Sequence, residues 1–183
     1  MRLVTIVVLC ILAAQEAAAE RPLKLGIEFG YAHQQEMFNS GPSSGVQLAI
    51  AHFQFIPTLW ERPGRPLRSV ELVNELNFMQ SIKPGSRFII GVAEIFRFNF
   101  PVSPHWTLYT DAGVGISSSS LRVRENSGRM QYLLQAGGGA KRCRSGTRTC
   151  WLTEYRLVHL SNNYTTLPNF GLNLHAGFAG LNF

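Results

Sequence analysis

Apolar and polar residues alternate along most of the chain. Leu23, Leu25, Ile27, Phe29 and Tyr31 fall on one parity, with Lys24, Gly26, Glu28 and Gly30 on the other. Val70, Leu72, Leu76 and Phe78 oppose Glu71, Glu75 and Asn77, while Val73 and Asn74 break the rule. Phe88, Ile90, Val92, Phe96, Phe98 and Phe100 share a face, Arg97 and Asn99 take the other, and Glu94 is out of pattern. Trp106, Leu108, Ala112, Val114 and Ile116 oppose Thr107, Tyr109, Asp111, Gly113 and Gly115. Successive side chains of a strand point to opposite faces, so this period predicts β-strands. Eight stretches follow: 22–33, 45–56, 68–79, 87–99, 105–116, 130–140, 151–161 and 171–183, the second and sixth alternating weakly. Turn residues separate them, as in Gly41-Pro42-Ser43-Ser44, Arg62-Pro63-Gly64-Arg65-Pro66, Lys83-Pro84-Gly85 and Glu125-Asn126-Ser127-Gly128.

Such a pattern serves two architectures. A soluble sandwich or lipocalin-like barrel hides its apolar face, whereas a membrane barrel turns it outward and keeps polar or small residues inside. Composition favours the second. Charged residues are 15% of the 183, with 17 glycines and 12 phenylalanines; soluble domains carry roughly 25% charge. The stretches are near the nine to eleven residues that a tilted strand needs to cross a bilayer. Glu28, Glu75 and Asp111 fall on the polar parity, where Arg97 and Arg156 could neutralise them inside a narrow barrel. The expected fold is therefore all-β, an eight-stranded antiparallel outer-membrane barrel in one domain, residues 20–183.

The start of the chain supports export. Arg2, the apolar run Leu3 to Ala14 and Ala17-Ala18-Ala19 read as a signal peptide, residues 1–19, cleaved after Ala19. The apolar run is too short for a spanning helix. The net charge of +6 is scattered over turns rather than gathered on one face, which disfavours nucleic acid and suits an anionic lipid surface. In an oxidising compartment Cys143 and Cys150 are expected to form a disulfide across a turn. Zinc is the weaker reading, since no second Cys or His pair stands at ligand spacing. No phosphate loop, H-E-x-x-H or calcium loop occurs, and no cofactor or metal is expected. His33, His52, His105 and His175 read as surface or interface residues.

The chemistry gathers near the end of the chain. His159 and Ser161 are two residues apart and so share a strand face with Tyr155 and Leu157, the face expected to meet lipid. Neutral serine is a weak nucleophile until a base takes its proton. Polar groups facing lipid are costly unless they have a role. Antiparallel pairing about residue 166 places position 159 opposite Asn173.

His159-Leu160-Ser161-Asn162, then Pro168-Asn169-Phe170-Gly171-Leu172-Asn173, resembles the active-site region of PagL-type lipid A 3-O-deacylases (acyloxyacyl hydrolases). These are eight-stranded outer-membrane barrels of Gram-negative bacteria. Their pattern is H-x-S-N, a P-N-x-G turn, and an acid two residues after the glycine. The sharp match covers about fifteen residues; the rest agrees in length, signal peptide and strand count. The resemblance implies that Ser161 attacks the ester of a 3-hydroxyacyl chain on lipid A with His159 as general base. Asn162, and Asn169 with nearby main-chain N–H groups, would hold the oxyanion. The family's acid falls on Asn173, which carries no charge. The implied partners are lipopolysaccharide and the outer membrane, with the protein a monomer or homodimer. The alternative is a non-catalytic barrel of the same lineage that binds lipopolysaccharide or has a structural role.

Overall fold

The structure, a computed structural model, describes residues 23–34, 43–126, 128–162 and 171–183. The expected signal peptide and Asn169 lie outside the described residues. Nine strands are described: β1 (Lys24–Gln34), β2 (Gln47–Ile56), β3 (Thr58–Glu61), β4 (Ser69–Lys83), β5 (Phe88–Pro101), β6 (Trp106–Ser119), β7 (Met130–Cys143), β8 (Cys150–Ser161) and β9 (Leu172–Asn182). Pro57 cannot donate to a ladder, so it parts β2 from the short β3, and the two together act as one stave. Every pairing is antiparallel between chain neighbours, β9 pairs with β1, and β2 also pairs with β4. The sheet thus closes into an eight-stranded barrel with no free edge, the expected fold. Among the described residues no helix is long and apolar enough to cross a membrane; strands cross by other means.

The outer wall carries Phe29, Phe53, Phe78, Ile90, Phe96, Leu108, Val114, Tyr132 and Leu134, all exposed. A continuous apolar belt of this kind belongs against lipid, not water. Trp106 and Trp151 flank the belt at the end that bears the Cys143–Cys150 disulfide. Of the breaks in the pattern, Asn74 and Glu94 are half-buried cross-strand partners on the outer face, while Val73 is buried inside.

The interior has two kinds of filling. Its middle layer is ionic. Arg97 holds Asp111 at 3.1 Å and Glu154 at 2.9 Å, and Arg156 holds Glu75 at 3.0 Å together with Glu154. The guanidiniums lie 3.8 and 3.9 Å from Glu28. Inward glycines make the room: a Cβ at Gly137 would press on the Arg156 side chain, and one at Gly139 on the Tyr109 hydroxyl. His52 stands inside this layer, 3.2 Å from Glu75, and is buried rather than at a surface. Towards the end away from the disulfide the interior turns apolar, with Leu48, Ile50, Leu121, Leu133, Leu160, Leu172 and Leu174 in one cluster. The polar-inside expectation therefore holds for the middle of the barrel and fails at this end. This explains the weak alternation of the second and sixth stretches, where Leu48, Ile50 and Leu133 are apolar on the inward parity as well.

Candidate active site

β8 and β9 pair along almost their whole length, and β8 ends away from the disulfide. Their register puts His159 opposite Asn173. On β8, Leu152, Glu154, Arg156, Val158 and Leu160 point inward, so Tyr155, Leu157, His159 and Ser161 stand on the outer wall, as the parity predicts. His159, Ser161 and Asn173 are each half-buried. The His159 Nδ1 and Asn173 Oδ1 atoms are 2.6 Å apart. With the amide oxygen facing the ring, Nδ1–H donates to it, and the lone pair is left on Nε2. A base with that tautomer can take a proton from a hydroxyl two residues along the same face.

Gly171 completes the setting of the imidazole. Its φ of +80° is a left-handed conformation that favours glycine. A Cβ there would also overlap the His159 ring, lying 3.1 Å from Nε2 and 3.2 Å from Nδ1 with Cε1 nearer still. Gly171 of the P-N-x-G sequence thus leaves a space that the imidazole fills. The sequence shows the glycine but not this contact.

Asn162 is placed differently from His159 and Ser161. It is fully buried, and its side chain abuts Gly128, where a Cβ would approach its Nδ2 to 2.9 Å. Its amide group therefore sits among inward residues, not on the face of Ser161. The sequence pattern assigns no role to the loop that receives it. Ser119 N–H donates to Arg129 C=O, and the Arg122 guanidinium donates to the carbonyls of Ser119 and Leu121. Glu125 accepts from the N–H and hydroxyl of Ser44 at 2.7 and 2.6 Å. Burial alone would raise the pKa of that carboxyl, but the hydrogen bonds from Ser44 and Gln34 outweigh it and hold it low. Asn126 Nδ2 donates to the carbonyl of Leu160, the residue between His159 and Ser161, at 3.2 Å.

Cys143 and Cys150 form the expected disulfide, far from His159. Glu28, His52 and Glu75 present metal-type donor atoms within 4.8 Å of one another. Arg156 and Arg97 already supply the positive charge such carboxylates seek, so this group reads as part of the ionic layer.

A closed antiparallel barrel with an apolar outer wall defines a class, the outer-membrane β-barrels. The family Lipid A 3-O-deacylase (PagL) matches residues 45–182, and the chain belongs to it. Among solved structures, the outer membrane enzyme PagL is similar with a TM-score of 0.65 and 14% identity, over 86% of this chain and 97% of that one. Neisserial surface protein A has a TM-score of 0.58 at 11% identity, covering 87% of this chain and 95% of its own. The N-terminal β-barrel domain of Pseudomonas aeruginosa OprF has a TM-score of 0.51 at 15% identity, covering 87% and 97%. No curated protein sequence matches the chain.

Proposed function

We propose that this protein is an outer-membrane esterase that removes an ester-linked 3-hydroxyacyl chain from lipid A. The observation that carries the proposal is the pairing of His159 with Asn173 on the outer wall, two residues from Ser161. Residues 1–19 are read as a signal peptide cleaved after Ala19, and the His159 end of the barrel as the outer-leaflet end. In the proposed reaction His159 Nε2 takes the Ser161 proton as Oγ adds to the acyl carbonyl. The tetrahedral oxyanion is held by main-chain N–H groups near Asn162, and by Asn169. Collapse breaks the bond to the sugar oxygen, which receives the proton from His159. Water, deprotonated by the same imidazole, then releases the 3-hydroxy acid from Ser161.

Asn173 favours a second reading. A carboxylate at this position would stabilise the imidazolium formed during attack, and in serine proteases its loss costs about 10⁴ in kcat. The second reading is a barrel that binds lipopolysaccharide without cleaving it. Mass analysis of lipid A from cells with the protein, without it, and with Ser161→Ala or His159→Ala separates the two. Loss of one 3-hydroxyacyl chain that depends on both Ser161 and His159 supports the esterase. Identical lipid A in all the strains supports the binding barrel.

A further inference from the structure

A second polar group stands on the outer wall beside the candidate active site. His33 of β1 and His175 of β9 are direct cross-strand partners. Their rings stack at 5.7 Å between centroids and 19° between planes. Tyr31 also stacks on His33, at 6.5 Å between centroids. The Tyr155 hydroxyl and His175 Nδ1 share a hydrogen bond. With the phenol donating, His175 carries its proton on Nε2, and that atom is buried with no hydrogen-bond partner. An unmet buried donor costs stability, and imidazoles facing lipid cost more. Two histidines and a tyrosine on a lipid-facing wall call for an acceptor that arrives from outside.

Their position says what kind. His33 is the last outward residue of β1, as His159 and Ser161 are the last two of β8. Asn173 and His175 lie between them on β9, on the same face. The polar strip thus follows the barrel rim, where lipid headgroups begin. From strand spacing and rise, His33 lies roughly 12 Å around that rim from His159. The carboxylates of these strands, Glu28 and Glu154, both point inward, so the strip carries no negative charge of its own. Donors without a nearby acid suit an anion rather than a metal ion.

We infer that His33 and His175 form a subsite for a phosphate group of a phosphorylated glycolipid, held while its ester reaches Ser161. The subsite rests on the esterase reading for its purpose but not for its binding. Oxygens of the phosphate accept from the exposed His33 ring, and from His175 Nε2–H once the ligand displaces the side chains that cover it. The Tyr155 hydroxyl fixes the tautomer that presents the first donor. Tyr155 and Tyr31 are then positioning residues for the pair.

The test uses Ser161→Ala protein in bilayer nanodiscs, so that nothing is turned over. Binding is measured for a phosphorylated disaccharide glycolipid and for the same lipid after phosphatase treatment. The phosphorylated form should bind tighter by about tenfold or more, the size expected of charge-assisted hydrogen bonds. His33→Phe, His175→Phe and the double variant keep ring packing and should erase that preference, with folding verified by heat-modifiable gel migration. His33→Phe, on the exposed ring, serves if the others fail to fold. No preference in the parent overturns the inference. So does a preference that survives in His33→Phe, since other groups would then hold the phosphate. Absence of deacylation by the wild type would sink the esterase reading while leaving this binding result intact.

Discussion

At the scale of residues, the question is what an amide does where its relatives' pattern has an acid. Asn173 orients the imidazole through the 2.6 Å contact with Nδ1, but adds no charge to support the imidazolium. Asn173→Glu should therefore raise kcat for deacylation with little change in KM, because the gain appears only as charge forms on His159. The rise should reach the order of 10²–10⁴-fold. Initial rates of both proteins in one detergent–lipid mixture decide it; an active wild type that gains nothing from the substitution would mean that another group already supports His159. Gly171→Ala tests the other side of the ring. The new methyl must push the imidazole aside and strain a left-handed residue. A displacement approaching 1 Å costs about 10² in rate, so kcat should fall by that order while the barrel stays folded. Unchanged kcat would show that the ring position is set elsewhere. Period-2 parity makes His159 and Ser161 legible as neighbours, and symmetry about one turn makes Asn173 legible as their partner. The inward aim of Asn162 is equally available, one residue on from Ser161. The role of Gly171 is not, because an absent side chain leaves no mark in the pattern, and that of His33 with His175 is not, because no turn joins β1 to β9 to set their register.

At the scale of elements, alternation locates every stave, and it fades where both faces of a strand are apolar. β2 and β7 are the cases: Leu48, Ile50 and Leu133 close the inside of the barrel while Phe53 and Leu134 meet lipid. Pro57 is plain in the sequence, but the pattern around it does not mark the division of one stave. The loop 120–129 carries the residues of a turn and no more. Its grip on β8 arises from Asn126 reaching the Leu160 carbonyl, a contact 34 residues away in sequence. The β7–β8 turn is the easiest to read, because two cysteines in an exported chain have few other uses. Their loop is short, with a sequence separation of 7, and the chain-entropy argument gives it only about 2–3 kcal/mol. Cys143→Ser with Cys150→Ser should therefore lower the thermal midpoint modestly and leave a folded barrel. Failure of the double variant to reach the heat-modifiable folded form would assign the bond a larger role in assembly.

At the scale of the whole molecule, the barrel is organised as a lipid-facing wall around an ionic layer, with the candidate site on the outside at one rim. The acids and arginines of that layer are legible from parity, but their pairing is not, because Arg156 collects partners from across the barrel. It reaches Glu75 on β4, Gln135 on β7 and Glu154 on its own strand. Glu75 in turn accepts from Gln54 at 2.8 Å and faces His52. One guanidinium thus serves two carboxylates: Glu154 also has Arg97, which it shares with Asp111, while without Arg156 Glu75 is left with His52 and no arginine contact. Arg156→Met keeps much of the volume and removes the charge, leaving Glu75 and Glu154 under-compensated where water is scarce. Breaking a buried pair from one side costs about 3–5 kcal/mol. The expected result is a large fall in the temperature at which the folded form is lost on unheated gels. Arg156→Lys should recover only part of it, since an ammonium cannot match the planar fork that serves three acceptors. Converting Glu75 to Gln and Glu154 to Gln in the Arg156→Met background should restore stability beyond the single variant, because the orphaned charges go with their partner. If Arg156→Met alone melts with the wild type, the ionic layer contributes nothing to holding the barrel, and closure rests on the strand ladders and the apolar plug.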